Sequence, residues 1–380
     1  MLIGDMVGLV ERVVPPTYAE PWDKVGLLVG QRDRALAGPI LLTIDLTEGV
    51  IEEAAKIKAG AIIAYHPPIF ESLSRVTTDT PRQRVIFHAI ERGIAVYSPH
   101  TALDAIKGGI ADWLCEGLSG STTPGRIMGD SRALNFHREK SPTQEVKIVT
   151  FIPATEVDKV RDALASAGAG IIGKYQACAF TIEGEGMFMP GDGASPKIGQ
   201  IGRHERVAER RLEMVCSKKA LPLAMQMLRQ FHPYEEPAVD VYDLVPLPKR
   251  NVGAGRRLAL DQPASVPEIA ARLKRFLGVD RVQYAIAGKS GPISRVGVVP
   301  GAGASLSRQA REEGCDLFVT GELKHHDILG ALNSGMSVLL AGHTATERGY
   351  LTRFKVLLEK EIAGTPIVVS SADVEILTNA

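Results

Sequence analysis

The sequence predicts a layered α/β domain that is split in two by a smaller inserted α+β domain. Short apolar strands alternate with amphipathic helices at both ends of the 380-residue chain, which indicates largely parallel sheets covered by helices. Between those ends the predicted order changes to βαββαβ, the ferredoxin-like order. We therefore predict a split domain over residues 1–125 and 250–380, with an inserted domain over 145–246.

The first half of the split domain shows the alternation clearly. Apolar side chains at helical spacing predict a helix over 4–14, and the apolar run between Gly26 and Gly30 fits a strand. Residues 119–145, rich in serine, threonine, glycine and charge, have the composition of a linker. The other predicted elements are strands 40–43, 61–64 and 94–97 and helices 48–58, 81–92 and 108–118.

The inserted domain and the second half follow the same kind of pattern. A glycine- and proline-rich loop spans 190–202, and residues 246–250 have the character of an exit linker. In the insert we predict strands 146–151, 175–182, 186–188, 211–216 and 239–244 and helices 155–165 and 219–231. In the second half we predict helices 266–277, 304–313, 326–333 and 344–360 and strands 296–299, 317–319, 337–340 and 366–369.

Composition narrows the class of protein. The 44 basic and 44 acidic residues balance, so the chain has no global nucleic-acid footprint. Its apolar runs are too short to span a bilayer, and its first residues lack a signal-peptide pattern. The four cysteines are scattered without a Cys-x-x-Cys pair, which fits a reducing compartment. We therefore expect a cytoplasmic protein with no membrane partner.

Two stretches repeat the same chemistry at the ends of predicted strands. His100 and His343 each begin a His-Thr-Ala sequence, and a carboxylate, Asp104 or Glu347, follows four residues later. On a helical turn this spacing places both side chains on one face. His66 ends a third strand. These five potential ligands suit one or two divalent cations of the Zn, Fe or Mn type; the alternative is a set of hydrogen-bonded histidines that cap helices.

Three other stretches carry weaker signals. The segment from Thr320 to Asp327 contains His325 and His326, and it fits either a contact with the site or a solvated helix start. The glycines between 184 and 193 fit a hairpin better than a phosphate-binding loop, because no clear helix follows them. Residues 232–237 contain two prolines and favour a turn over a metal site. The sequence contains no Gly-x-Ser-x-Gly elbow, so a serine hydrolase has no support.

In combination, several motifs resemble the NIF-three-like family, also called the GTP cyclohydrolase I type 2 homologues. The resemblance covers about 3–118 and 252–378, and the middle region resembles the PII/CutA-like insert of some bacterial members. The motifs are Trp22-Asp23-x-Val25-Gly26-Leu27-x-x-Gly30, Tyr65-His66-Pro67-Pro68-Ile69-Phe70, Ser98-Pro99-His100-Thr101-x-x-x-Asp104, Thr320-Gly321-Glu322-x-Lys324-His325-His326 and Gly342-His343-x-x-x-Glu347-Arg348-Gly349.

The resemblance implies a dinuclear metal centre in a ring-shaped homohexamer, with the centres facing an internal cavity. By position, His66, Asp104, His343 and Glu347 match family metal ligands, and His100 lies in the same motif. Many members have two adjacent histidines where this chain has Tyr65 and His66, so we expect one or two cations per chain.

The implied activity is that of a di-metal-dependent hydrolase acting on a small nucleotide or phosphorylated substrate, with GTP ring opening as the family label. Glu347 would bridge or orient, and His100 or His326 would transfer protons. The alternative is a non-catalytic metal-binding scaffold or regulatory interaction protein.

Overall fold

The computed structural model describes residues 1–139, 141–288 and 291–376. The chain forms two compact units, one made of Met1–His137 and Lys249–Ala380, the other of Arg138–Pro248. None of the helices described here is long and apolar enough to cross a lipid bilayer.

The structure is mixed α/β, with its elements in the following order. The helices are α1 (Ile3–Val13), α2 (Glu48–Lys56), α3 (Pro81–Arg92), α4 (His100–Ala105), α5 (Ile110–Ser119), α6 (Val157–Ser166), α7 (Leu221–Phe231), α8 (Val266–Leu277), α9 (Ala304–Glu312), α10 (His325–Asn333), α11 (Ala345–Arg348) and α12 (Leu351–Glu361). The strands are β1 (Gly26–Val29), β2 (Ile40–Thr43), β3 (Ala61–Ala64), β4 (Ala95–Ser98), β5 (Gly129–Glu139), β6 (Val146–Pro153), β7 (Phe180–Phe188), β8 (Glu205–Cys216), β9 (Val239–Asp243), β10 (Leu247–Ala264), β11 (Gln283–Ala285), β12 (Ile293–Val298), β13 (Leu317–Thr320), β14 (Ser337–Leu340) and β15 (Ile367–Val369).

Local signals in the sequence set the ends of several helices. The Thr80 hydroxyl accepts a hydrogen bond from a backbone N–H of the first turn of α3, and Gly93 ends that helix in the left-handed conformation, with φ of 64°. The same arrangement recurs in α8, where Ser265 caps the start and Gly278, with φ of 69°, follows the end. Hydroxyl caps and left-handed glycines satisfy the backbone groups that a helix end leaves free.

The first unit contains two sheets. One has the strand order β1-β4-β3-β2-β15 and is parallel except for β1. The other has the order β11-β14-β13-β12-β10-β5, and its central strands β12, β13 and β14 are parallel. The last strand, β15, pairs with β2, so the end of the chain completes a sheet begun near its start.

Both sheets share one hydrophobic core. A single cluster of buried side chains includes Ile40 and Ile63 from the first sheet and Val296, Leu317 and Leu339 from the second. Helices α1 and α12 pack together, as do α5 and α8. The two halves of the unit, far apart in sequence, therefore pack around one hydrophobic core.

The second unit has a four-stranded antiparallel sheet in the order β7-β8-β6-β9. Side chains of α6 and α7, such as Val160 and Leu228, are buried with Ile148 and Leu212 against one face of this sheet. The connectivity βαββαβ matches the ferredoxin-like order.

Four sequence predictions about elements are wrong. The predicted linker 119–145 contains β5, and the predicted exit linker lies partly in β10, its neighbour in the sheet. Strand β5 is a sheet edge with only Ala133 and Leu134 buried, so its charged pattern concealed it. The two strands predicted over 175–182 and 186–188 are one strand, β7. The single helix predicted over 344–360 is broken into α11 and α12.

Candidate metal centre

Strand ends from both sheets of the first unit meet at one place. His66 follows β3, His100 follows β4, and His343 follows β14; Glu347 lies on α11, one turn beyond His343. Parallel strands present their carboxyl ends at a common edge, which is where α/β sheets form sites. The repeated His-Thr-Ala stretches therefore contribute to a shared centre from the two ends of the sequence.

Three side chains form the core of this centre. Ligand atoms of His66, His343 and Glu347 all lie within 4.8 Å of one another. The Glu347 carboxylate is 3.6 Å from His66 Nε2 through Oε2 and 3.5 Å from His343 Nε2 through Oε1. These separations exceed hydrogen-bond length and leave room for a cation between the three groups.

A second carboxylate orients each of the two histidine rings. Asp45 Oδ1 is 2.9 Å from His66 Nδ1, and Glu322 Oε1 is 2.9 Å from His343 Nδ1. Because a carboxylate only accepts, Nδ1 carries the proton and, in the neutral ring, Nε2 presents a lone pair to Glu347. This is the carboxylate–histidine arrangement that supports metal ligands in proteins.

His100 is held in the same way, next to the three central groups. Its Nδ1 is 2.7 Å from Asp23 Oδ1, and its ring centre is 5.5 Å from that of His66. Asp23 also accepts hydrogen bonds from the backbone and hydroxyl of Thr101. Although it is not glycine, His100 has a positive φ of 32°, a strained conformation of the kind that concentrates at functional sites.

Glu347 gives the strongest indication that the centre fits a metal ion. Its side chain is 2 % exposed, and its Oε2 has no hydrogen-bond partner in the part of the chain that the structure describes. Burial, with smaller effects from the nearby carboxylates of Asp104 and Asp45, raises its pKa well above the ordinary value. A buried acceptor without a donor is costly. The donor set therefore fits a divalent cation, which would satisfy this oxygen and both Nε2 lone pairs.

A glycine makes the close approach to Glu347 sterically possible. A Cβ atom on Gly301 would lie 2.5 Å from Glu347 Oε1 and 3.1 Å from His343 Nε2. Gly301 also has a φ of 57°, which disfavours other residues. Any side chain at this position would enter the space that the ligand atoms share.

Tyr65 and Asp104 form a pair beside the three central groups. The Tyr65 hydroxyl donates a 2.9 Å hydrogen bond to Asp104 Oδ1. Burial raises the pKa of Asp104 to about 8, and it also raises the pKa of Tyr65 well above its usual range. Asp104 is therefore engaged by a phenol rather than by His100, the residue four positions before it.

The centre opens into a cavity of about 440 Å³. Trp22 and Phe70 line it, and their side chains remain 54 % and 45 % exposed. The two rings are 6.0 Å apart in an edge-to-face arrangement, and each also contacts the His100 ring. Large exposed aromatic rings beside a polar centre provide an apolar surface for a planar ligand.

Not every candidate residue reaches the centre. His325 and His326 are exposed at the start of α10, and neither is among the described residues that line the cavity. Sequence reasoning also missed Asp45 and Asp23, the carboxylates that orient His66 and His100. Asp45 lies two residues after the end of β2, so a search for polar residues just beyond every parallel strand would have found it.

Comparisons with known proteins agree with this picture. The family model described as Duf34/NIF3 (NGG1p interacting factor 3) matches residues 1–375. A Bacillus subtilis protein named "GTP cyclohydrolase 1 type 2 homolog" is 34 % identical over 371 residues, covering 97 % of this chain and 96 % of that protein. The Rattus norvegicus "NIF3-like protein 1" is 31 % identical over 347 residues, covering 90 % and 83 %.

Solved structures give the same family. A Bacillus cereus protein related to NIF3 superposes with a TM-score of 0.68 at 28 % identity, covering 100 % of this chain and 99 % of that one. A Staphylococcus aureus protein superposes with a TM-score of 0.74 at 25 % identity and the same coverage. The match spans both halves of the first unit and the insert together. The chain therefore belongs to the Duf34/NIF3 family.

Proposed function

We propose that this protein is a metal-dependent hydrolase acting on a small nucleotide or phosphorylated substrate. The single observation that carries the proposal is the cluster of His66, His343 and Glu347, with Glu347 Oε2 buried and without a hydrogen-bond partner among the described residues. A bound divalent cation of the Zn, Fe or Mn type supplies Lewis acidity and lowers the pKa of water. The names of the relatives, GTP cyclohydrolase 1 type 2 homolog, favour a nucleotide.

The residues of the cluster and those around it would have different roles. His66, His343 and Glu347 would hold one cation, and Asp104 with His100 would extend the site toward a second. His100, oriented by Asp23, would move a proton to or from the substrate through Nε2. His326 is a poor candidate for that role because it is exposed and away from the cavity lining.

The cavity supports a planar substrate group. Trp22 and Phe70 offer ring surfaces at its edge, and the carboxylates behind the histidines repel free anions unless a cation is present. A nucleotide combines a flat base with phosphates that a bound cation could neutralise. This combination favours a nucleotide over a simple phosphoester.

Turnover by metal-loaded protein tests the proposal. The full-length chain, loaded in turn with Zn, Mn or Fe(II), would be assayed with GTP, other nucleotides and simple phosphoesters, and each rate compared with that of Glu347→Ala. We expect turnover that disappears in the variant. Equal rates for both proteins on every substrate would refute a hydrolase at this site. Elemental analysis would give the metal-to-chain ratio, near two for the full site and near one if only the central cluster binds.

A second candidate is a metal-binding scaffold or regulatory interaction protein. The observation that favours it is Tyr65, a neutral phenol where many family members have a histidine, hydrogen-bonded to Asp104. A ratio of one metal per chain, no turnover, and a protein or metabolite retained in pull-down would support this second candidate.

Assembly, location and the insert complete the proposal. We propose a cytoplasmic homohexamer whose inserted domain, predicted over 145–246, is PII/CutA-like. The free state of all four cysteines fits a reducing compartment. Light scattering tests the assembly: a hexamer has six times the chain mass of 40.8 kDa.

A further inference from the structure

The inserted unit has a cavity of its own, of about 690 Å³. It lies between the sheet face opposite α6 and α7 and two loops, one around residues 190–198 and one around 234–238. We call it the insert cavity. Its volume falls within the range of small-molecule sites in proteins. Every lining residue belongs to the second unit, so the cavity is complete within it.

Strand β7 gives the insert cavity its space. Gly184 and Gly186 line it, and a Cβ on Gly184 would meet no atom of the described chain within 4 Å. Apolar walls surround that space and include Phe151, Ile182 and Phe188. Glycines on a strand commonly mark a place where another group approaches the backbone closely. Because Gly184 and Gly186 carry no side chain, a slot with apolar walls remains beside the strand.

Hydrogen bonds join the loop around residues 190–198 to the loop around 234–238 and also close the first loop at its own start. The Ser195 backbone N–H donates to Glu235 Oε2 at 2.9 Å, and the Gly202 N–H donates to the Pro190 carbonyl at 2.8 Å. These bonds hold the glycine- and proline-rich segment over the sheet face. The insert cavity is therefore a built pocket and not a gap beneath a free loop.

The His-Pro-Tyr-Glu-Glu-Pro turn, which the sequence suggests only as a turn, positions polar groups at the insert cavity. Buried His232 donates from Nε2 to the Phe151 carbonyl at 3.0 Å and accepts the Tyr234 N–H on Nδ1 at 3.1 Å. The Tyr234 hydroxyl then donates to Glu209 Oε1 at 2.6 Å. This chain of bonds fixes a phenol and a carboxylate in one geometry.

Glu209 is the polar group best placed to meet a ligand. It is 9 % exposed and lines the insert cavity, and its side chain lies over Gly186, where a Cβ would be 2.3 Å from Oε2. Tyr234 occupies only Oε1, so Oε2 is left without a hydrogen-bond donor among the described residues. A carboxylate oxygen that lines a cavity and has no protein donor is a strong acceptor for a cationic ligand.

The charge of the lining agrees with a cationic ligand. Five glutamates line the insert cavity, against one lysine and one arginine. Arginines outside the lining pair with two of them, Glu183 and Glu185, so three glutamates remain to set its charge. The arginine, Arg211, is already engaged, because it donates to Glu213 at 2.9 Å and lies 5.9 Å from the centre of the Phe151 ring. Excess negative charge beside apolar walls selects a ligand that is cationic at one end and apolar at the other.

We propose that the insert cavity binds a small organic cation with a flat apolar body, of the arylalkylamine type. The ammonium group bonds to Glu209 beside Tyr234, and the ring fills the slot over Gly184 between the apolar walls. This site is separate from the metal centre and does not depend on the hydrolase proposal.

Calorimetric titration of the full-length protein with three matched indoles tests the proposal. Tryptamine carries the cation, 3-ethylindole is its neutral analogue, and indole-3-propionate carries the opposite charge. We expect tryptamine to bind at least about tenfold more tightly than 3-ethylindole, and indole-3-propionate to show no binding. The proposal is overturned by no binding of tryptamine, by equal affinities, or by a preference for the anion. The affinities should be the same for metal-loaded and chelated protein.

Two variants locate the ligand. Glu209→Gln keeps the shape of the side chain and should weaken tryptamine binding about tenfold, while the neutral indole is unaffected. Gly184→Leu should abolish binding of both, because its side chain enters the slot. The matched controls are Asp240→Asn, which removes an exposed charge outside the lining, and Gly191→Leu, at a glycine that does not line the cavity. Undiminished binding by folded Gly184→Leu protein would refute the assignment.

Discussion

Replacing Glu347 by glutamine should have opposite effects on metal binding and on stability. In the metal-free protein this carboxylate is buried, its Oε2 lacks a donor among the described residues, and both Nε2 lone pairs of His66 and His343 face it. An unsatisfied buried charge costs about 1–3 kcal/mol. Because the amide is neutral and can donate to Nε2, Glu347→Gln should stabilise chelated protein by about 1–3 kcal/mol, a rise in Tm of roughly 2–12 °C.

Metal affinity should change in the other direction. Loss of an orienting partner alone typically costs 10–100-fold in metal affinity, so loss of a charged ligand should cost at least about 100-fold. The assay is urea unfolding of chelated protein, followed by competition with a chromophoric chelator for Zn. The control is Glu71→Gln, an exposed carboxylate 3.4 Å from Arg82, for which we expect no change in either measurement.

The dependence on pH sharpens this prediction. Burial raises the folded-state pKa of Glu347 above its ordinary value of 4.5, so the folded state holds this proton more tightly than the unfolded state. Below pH 4.5 the carboxyl is protonated in both states and does not destabilise the fold. As the pH rises from there through the folded-state pKa, the chelated wild type loses stability. The advantage of Glu347→Gln should grow as the pH rises from about 4.5 toward the folded-state pKa of the carboxyl. A variant that is less stable than wild type when chelated, or that binds Zn equally well, would refute the reasoning.

Three further predictions concern Gly301, Asp45 and Glu53. Gly301→Ala should lower the metal-to-chain ratio measured by elemental analysis and destabilise the chain by about 1–2 kcal/mol, because the methyl group meets Glu347 and φ is 57°; an unchanged ratio would contradict the close approach. Asp45→Asn should weaken Zn binding about 10–100-fold in chelator competition by releasing the His66 ring, and wild-type affinity would exclude that orienting role. Burial raises the pKa of Glu53, but hydrogen bonds from Ser370, Ser371 and Ala372 outweigh it and lower the pKa to about 2. The resulting stability is present above pH 4.5 and disappears as the pH falls toward 2, so Glu53→Gln should cost about 2 kcal/mol in urea unfolding at pH 7 and little near pH 2; an equal loss at both would rule out the linkage.

Buried parallel strands were the easiest part of the fold to predict. The predicted bounds 40–43 and 61–64 coincide with β2 and β3, because each is a short apolar run between polar turns and both of its faces are covered. Edge strand β5 was missed because most of its side chains are exposed or only partly buried and its sequence resembles a linker. Hydrophobic periodicity in a sequence reflects which side chains are buried, so it does not detect a strand that buries only two of them.

The candidate site was predictable only in part. His66, His343 and Glu347 could be proposed as neighbours because each follows a strand or shares a helical turn with a residue that does. Asp45 was missed because its closeness to His66 depends on the strand order, in which β2 lies beside β3. Tyr65 and Asp104 show the same limit, since their hydrogen bond joins residues 39 positions apart in sequence, one just after β3 and the other on α4, which follows β4.

The pairing of β15 with β2 has a consequence for synthesis of the protein in the cell. The first sheet lacks an edge partner until β15 has been synthesised, and until then β2, an apolar strand, presents open backbone groups to other chains. His343 and Glu347 also emerge late, long after His66. Capture of a metal by His66, His343 and Glu347 must therefore follow translation through residue 347, and nascent chains that stall after the insert would be prone to aggregate and unable to retain the ion.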